Sequence, residues 1–350
     1  MVIQGFHKCS VFCHSEPCAR AKNPRPQAET LRYAQGYKLQ KILNQFDLNF
    51  TIKNQFIRII LSNQNSPQEL NLQIKGKIMS LNISNSHQRE NSAYLLIKHR
   101  KLLFNVTRNE LSSRYAGSLL GIGWAVLAPL LIIFIYAVVY LVIFKVKVPS
   151  LSAPDYVLYI FSGLVPFLSL SESLGLGVGS IIANKSVLNN TVFPVDLVPA
   201  KAVFLSQPTM IVGFFVIITG TVITHGFSWT LFLLPLIWGL QIMGLIGLNW
   251  ILSLFTVIFR DMQSLITSII MILMIASPIA YTPDMVSGML KYIILFNPFA
   301  YFVIGYQRVL VLRQIPDPIT IAGIIIIPTA LFLLGNWLFT KGKRAVADYV

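Results

Sequence analysis

Charge is scarce in this sequence. Of its 350 residues only 12% are Asp, Glu, Lys or Arg, and acids are the scarcer sign, 13 against 28 Lys and Arg. A soluble domain carries about a quarter charged residues, so that class is excluded. Cysteine is absent after Cys18. Cys9, Cys13 and Cys18 sit near His7 and His14, but their irregular spacing argues against a metal site. Also missing is any Gly-x-x-x-x-Gly-Lys-Ser/Thr, which excludes ATP binding through a Walker A loop. There is no His-Glu-x-x-His and no Gly-x-Ser-x-Gly, and His225 stands alone. The amino terminus lacks the signal-peptide order of charge, short apolar run and cleavage site.

What is abundant is apolar length. The chain is 55% hydrophobic, with a mean hydropathy of +0.66. Six segments are long enough to cross a bilayer: 119–144, 156–182, 202–224, 229–259, 265–281 and 319–339. The expected fold is an all-α polytopic membrane protein of six transmembrane helices. An apolar stretch at 289–312 is broken by Asn297-Pro298-Phe299 and carries Arg308 and Arg313. It suits two short re-entrant helices, because irregular backbone at that depth needs protein or water around it.

The net charge of +15 is not a nucleic-acid signature here, since the basic residues border apolar spans. With both termini inside, the inner segments hold Lys98, Arg100, Lys101, Arg108, Arg114, Lys185, Lys201, Arg260, Lys341, Lys343 and Arg344. The outer ones hold only Lys145, Lys147, Lys291, Arg308 and Arg313. That bias predicts N-in, C-in.

Small residues recur every fourth position on two spans: Gly117, Gly121 and Ala125, then Ser171, Gly175, Gly179 and Ala183. Such stripes let helix backbones approach inside lipid. Packing of spans one and two is the expected use, with a homodimer seam as the alternative. Glu172 is the one acid well inside a span. It pairs with a neighbour such as Ser169 or Ser173, or it is a gate residue. Tyr136, Tyr140 and Phe144 share one face of span one, as interfacial anchors or as a stacking surface for sugars. Tyr281, Tyr292, Tyr301 and Tyr306 lie on the same outer side. The inner loop "ANKSVLNNTVFPVDLVPAKAV" carries apolar Val192, Phe193 and Val198, with a short helix expected between Pro194 and Pro199. Exposed apolar residues there suggest a docking knob for a soluble partner. Arg260 and Asp261 of the short Phe-Arg-Asp turn are expected to cap helix ends.

The first 78 residues have eleven Lys and Arg against four acids and no sustained periodicity. They read as a disordered or non-native extension, with translation starting at Met79; a regulatory or lipid-binding arm is the alternative. The expected boundaries are 1–78, a cytoplasmic lead and amphipathic interface helix at 79–118, the transmembrane domain at 119–340, and a cytoplasmic tail at 341–350.

From Tyr94 to the end the chain resembles the permease subunits of ABC-2 type exporters for polysaccharides, the group that moves O-antigen, capsule and teichoic-acid chains. The matching segments, in order, are "RYAGSLLGIGWAVLAPL", "FSGLVPF", "NKSVLNNTVFP", "IFRDMQS", "SPIAYTPD", "NPFAYFVIGYQRVLV" and "KGKRAVADYV". The resemblance implies a homodimer with ABC ATPase subunits beneath it. ATP and Mg would be held by that partner and no cofactor by this chain. It implies export of a lipid-linked glycan or polyol-phosphate polymer across the bacterial inner (plasma) membrane. An exporter of a drug or small lipid is the alternative, and a membrane-embedded glycosyl- or acyltransferase a more distant one. It also implies that Lys98, Arg100, Lys101, Arg108 and Arg114 hold an interface helix at anionic lipid while Leu102, Leu103 and Val106 face acyl chains. The ATPase-coupling segment would include Lys185, Val192, Phe193, Pro194 and Asp196, with Asn190 where the family usually has Lys. Channel and gate candidates are Trp124, Tyr136, Tyr140, Phe144, Glu172, Tyr281, Tyr301 and Arg308.

Overall fold

The computed structural model describes residues 91–139, 152–191, 193–282, 285, 288 and 290–349. The chain divides between Gly76 and Lys77 into two units, and all described residues belong to the second. Among them the secondary structure is entirely helical. Tyr140, Phe144 and Val192, together with the expected start at Met79, lie outside the described residues.

Among the described residues, two helices precede the first span, α1 (Ser92–Lys98) and α2 (Arg100–Arg114), separated by His99. A turn and a 3-10 segment, Gly121–Gly123, lead into α3 (Trp124–Val138). Then come α4 (Ala153–Val178), the short α5 (Ser180–Ala183) and α6 (Lys185–Asn190), and α7 (Leu197–Leu205) running on into α8 (Gln207–His225). A second 3-10 turn, Trp229–Leu233, opens α9 (Leu234–Ile258), which is followed by α10 (Met262–Ala276). The broken stretch forms α11 (Leu290–Phe296) and α12 (Ala300–Gln307), the latter continuing as a π turn, Arg308–Leu312. The last helix is α13 (Pro318–Tyr349).

Among the described residues, five segments are long and apolar enough to cross a membrane: Gly121–Val138, Pro154–Val178, Leu197–His225, Trp229–Ile258 and Pro318–Lys343. The fifth expected span differs. Its helix, α10, has 15 residues, about 22 Å at 1.5 Å per residue, short of the ~30 Å hydrocarbon core. Ser277 is extended and Pro278 follows, so the helix stops there.

α4 is the axis of the fold. It packs against α7, α8, α9, α10 and α12, and 78% of its span is buried within the chain against 17% for the first span. Its start is fixed by Ser152, whose Oγ accepts from the Asp155 amide at 3.4 Å, an N-cap. Two of its buried serines tie it to neighbours. Ser169 Oγ donates to the Ser206 carbonyl at 3.2 Å, and Asn249 Nδ2 on α9 donates to Ser173 Oγ at 3.1 Å. Gln241 bridges three helices, donating to the Pro166 carbonyl at 3.1 Å and accepting from Tyr306 Oη at 2.7 Å. Within lipid such polar ties add to close packing as the forces that hold helices together.

The small-residue stripe expected at the start of span one is not a helix face. Gly117 and Gly121 sit at φ +81° and +50°, left-handed positions in the turn, and a Cβ on either would touch nothing within 4 Å. The described part of span one, α3, packs chiefly against α8, the third span. Of the second stripe, Gly175 faces open space, and Gly179 lies against the Gln263 side chain. The close helix approaches are elsewhere. Gly177 faces the Asn249 amide, and Gly213 faces Val165. The tightest seam joins α9 to α13: a Cβ on Gly247 would lie 2.5 Å from Phe332 Cα, one on Gly335 2.8 Å from the Gly247 carbonyl carbon, and one on Gly244 2.7 Å from Pro328 Cβ.

Candidate functional site

The loop between the second and third spans is fastened to several helices. α6 exposes all its residues except half-buried Leu188; Lys185 and Val187 point outward, and Ile182 just before it is 43% exposed. The expected helix between Pro194 and Pro199 is displaced. The short exposed helix lies before Pro194, and Pro199 is the third residue of α7. There its missing N–H costs no hydrogen bond, because the first helical amides have no intrahelical partner. Val198 is buried and not part of any knob; Pro194 is buried and Phe193 half-buried.

Asp196 is not a surface charge. Its carboxylate accepts from Lys343 Nζ on α13 at 3.0 Å, with both side chains at most 3% exposed. Its backbone carbonyl accepts from Trp250 Nε1 at 3.0 Å. Trp250 in turn stacks on Phe332 and Phe339 of α13, at centroid distances of 5.5 and 6.0 Å. Lys201 holds the other side of the loop. Its Nζ donates to Asn184 Oδ1 at 3.1 Å and forms an ion pair with Glu110 on α2. The segment 341–349 is therefore no free tail: it continues the last helix. Lys201 and Lys343, counted above as inner-surface charges, are spent inside the protein. A buried pair of this kind recovers its desolvation cost only with close geometry and further hydrogen bonds.

The helix before span one is amphipathic, but not in the expected register. Leu95, Leu103 and Thr107 are buried, Leu103 lying on the helix that packs against α7. Tyr94, Ile97, Leu102 and Phe104 are the exposed apolar residues. Lys98, Arg100, Lys101 and Arg108 are exposed beside them, with Lys98 Nζ 5.5 Å from the Tyr94 ring centroid. α1 is clamped to the last helix: the Ala93 amide donates to Asn336 Oδ1 at 2.9 Å and the Ser92 amide to Thr340 Oγ1 at 3.2 Å.

Glu172 finds partners other than Ser169 and Ser173, which are committed elsewhere. Thr209 Oγ1 on α8 donates to it at 2.9 Å, and Arg114 Nη1 at the end of α2 lies 3.4 Å away. The pair is partly open, 27% and 34% exposed. Trp124 and Tyr136 are half-buried on α3. Tyr281 Oη donates to the Ala276 carbonyl at 3.0 Å and Tyr301 Oη to the Leu295 carbonyl at 2.8 Å. Those hydroxyls support the broken region. Arg308 pairs with Asp317, and Arg313, at φ +56°, donates to the His225 carbonyl at 3.1 Å. Arg260 and Asp261 are both exposed, and Asp261 makes no side-chain cap. Among the described residues no three His, Cys, Asp or Glu gather as a metal site.

Residues 101–311 match the ABC-2 type transporter family, well over half of the chain. The chain belongs to that family. Among its relatives is the O-antigen export system permease protein RfbA of Myxococcus xanthus, 22% identical over 258 residues, which span 73% of this chain and 97% of that protein. A Klebsiella pneumoniae protein of the same name is 28% identical over 71% of this chain and 94% of its own length. The polysialic acid transport protein KpsM of Escherichia coli is 24% identical over 68% and 92%. Transport, rather than catalysis by the chain itself, is the activity of the family. What motif-level reading missed was the Asp196–Lys343 pair and the α9–α13 glycine seam. Lys343, between Lys341 and Arg344 in "KGKRAVADYV", carries no sign that it is the buried one, whereas Gly244 and Gly247 on one apolar helix could have been noticed as close-packing residues.

Proposed function

We propose that this chain is the membrane-spanning permease subunit of an ATP-driven exporter that carries a lipid-linked polysaccharide or polyol-phosphate polymer across the bacterial inner membrane. The observation that carries the reading is the near full-length match to permeases named for O-antigen and polysialic acid transport, 92–97% of their lengths for two of those above. The chain supplies no nucleotide site of its own motif, so ATP and Mg belong to a separate ATPase subunit. The braced loop, with Lys185 and Val187 exposed and Phe193 half-buried, suits docking of that subunit at the inner face. Two copies enclose the path. The weakly covered face of α3 and the exposed apolar residues of α10, among them Ile269, Ile272 and Ile275, are available for a second copy and for lipid. In this reading both termini are cytoplasmic, and α10 with the irregular 277–282 segment completes a sixth crossing. α1 and α2 lie at anionic headgroups, and α11 and α12 dip into the outer leaflet as gate helices. Glu172 and Arg114, tied across α4 and α2, mark the inner entrance.

Deletion of the chain tests it. Lipid-linked glycan should build up on the inner face while the surface polymer disappears, and a plasmid copy should reverse both. Unchanged surface glycan with no lipid-linked intermediate retained would refute the reading.

A further inference from the structure

We infer that the inner loop drives the last span and the pre-span helix through two ion-paired struts, and that Asp196, Lys343, Lys201 and Glu110 are positioning residues for coupled transport. This rests on the export reading above. The observation is that the loop is fastened to helices distant in sequence, one at each end. Asp196, just past the exposed part, is held by Lys343 of α13 at 3.0 Å in a nearly fully buried pair. Asn184, at the start of α6, is held by Lys201 at 3.1 Å, and the same ammonium pairs with Glu110 on α2. Between these two anchors the exposed α6 is the part offered to a partner.

A displacement of α6 therefore has two stiff exits. Along the first, Asp196 moves Lys343, and Trp250 joins the motion because its indole is bonded to the Asp196 carbonyl and stacked on Phe332 and Phe339. The last span then moves as one body with α9, since their backbones meet at Gly247 and Gly335 with no side chain between them to absorb a shift. Interiors packed this closely transmit strain rather than damp it. Along the second, Lys201 moves Glu110 and with it α2. The far end of α2 carries Arg114, which leans on Glu172 of the central helix. α1 closes the circuit, because its first amides are hydrogen-bonded to Asn336 and Thr340 of α13. A charged pair suits this role better than apolar contact, since it resists both pulling and pushing along one line.

The test measures ATP consumed per glycan moved. Inverted membrane vesicles containing the full chain and its ATPase, from cells fed a tritiated sugar, are given ATP; hydrolysis is compared with labelled glycan that becomes protected inside. Asp196→Asn and Glu110→Gln should keep the ATPase bound and hydrolysing, yet raise the ATP spent per glycan severalfold. Asp196→Leu combined with Lys343→Met, which fills the buried site without charge, should raise it most. If that double variant does not accumulate, the ratio in Asp196→Asn and in Glu110→Gln, a partly exposed site, decides alone. A wild-type ratio in those two overturns the inference. So does a parallel fall of hydrolysis and export, which is what a purely structural pair would give. Wild-type vesicles that protect no glycan on ATP addition would instead refute the export reading.

Discussion

Replacing Gly247 by Ala should destabilise the chain, whereas the same change at Gly239 on the same helix should not. A Cβ at 247 would sit 2.5 Å from Phe332 Cα and still closer to the Leu331 carbonyl oxygen, while one at 239 meets nothing within 4 Å. Backbone cannot turn aside as a side chain can, so α9 and α13 must separate along the seam. Overpacking of this kind costs ~1–3 kcal/mol. Removing a helical glycine returns ~0.5–1 kcal/mol by restricting the unfolded chain. The net expectation is a loss of ~0–2.5 kcal/mol at 247 and a gain of ~0.5–1 kcal/mol at 239, so the two variants separate across the whole range. Purified protein in detergent would be heated while tryptophan emission is followed. Trp250 lies one turn from Gly247 and is fully buried against Phe332 and Phe339, so it reports on the same seam. If the two alanine variants unfold at the same midpoint, α9 and α13 are not in backbone contact and the seam is wrong. Gly247→Leu should fail to accumulate at all.

A chain begun at Met79 should insert and restore export to a deletion strain; failure would give the first 78 residues a role. Phe193→Ala should lose the ATPase on gentle purification while inserting normally, at a cost of ~2 kcal/mol or more if the ring is an interface anchor; unchanged co-purification would move the docking point elsewhere. Glu172→Gln breaks a partly exposed pair with Arg114, and solvent screening limits its stability cost to ~0–1 kcal/mol. A clear drop in export at an unchanged unfolding midpoint would therefore mark Glu172 as an entrance residue, and wild-type export would leave it a helix tie only.

Much of the architecture was legible because lipid imposes length and polarity directly on sequence. The limits of the expected spans two, three, four and six follow from where apolar runs meet polar or turn residues. The break at Asn297-Pro298-Phe299 follows from proline chemistry, and α11 and α12 flank it as expected. The basic approach to span one was readable from charge alone. The fifth expected span was read too long because residues 277–281 are apolar enough to continue a helix; Pro278 and the extended Ser277 end it.

What the sequence alone determined is therefore the class: a helical membrane protein, its approximate spans, and the family whose ordered segments it carries. Which helices touch was decided by tertiary structure. Gly117 and Gly121 have helical spacing in the sequence but sit in a left-handed turn, while Gly247 and Gly335, far apart in the chain, meet backbone to backbone. Asp196 and Lys343 look like ordinary inner-surface charges until the fold places them together out of water. Hydropathy is a property of each segment by itself and survives in one dimension. Pairing energy belongs to two segments at once, and it exists only after the chain has brought them together.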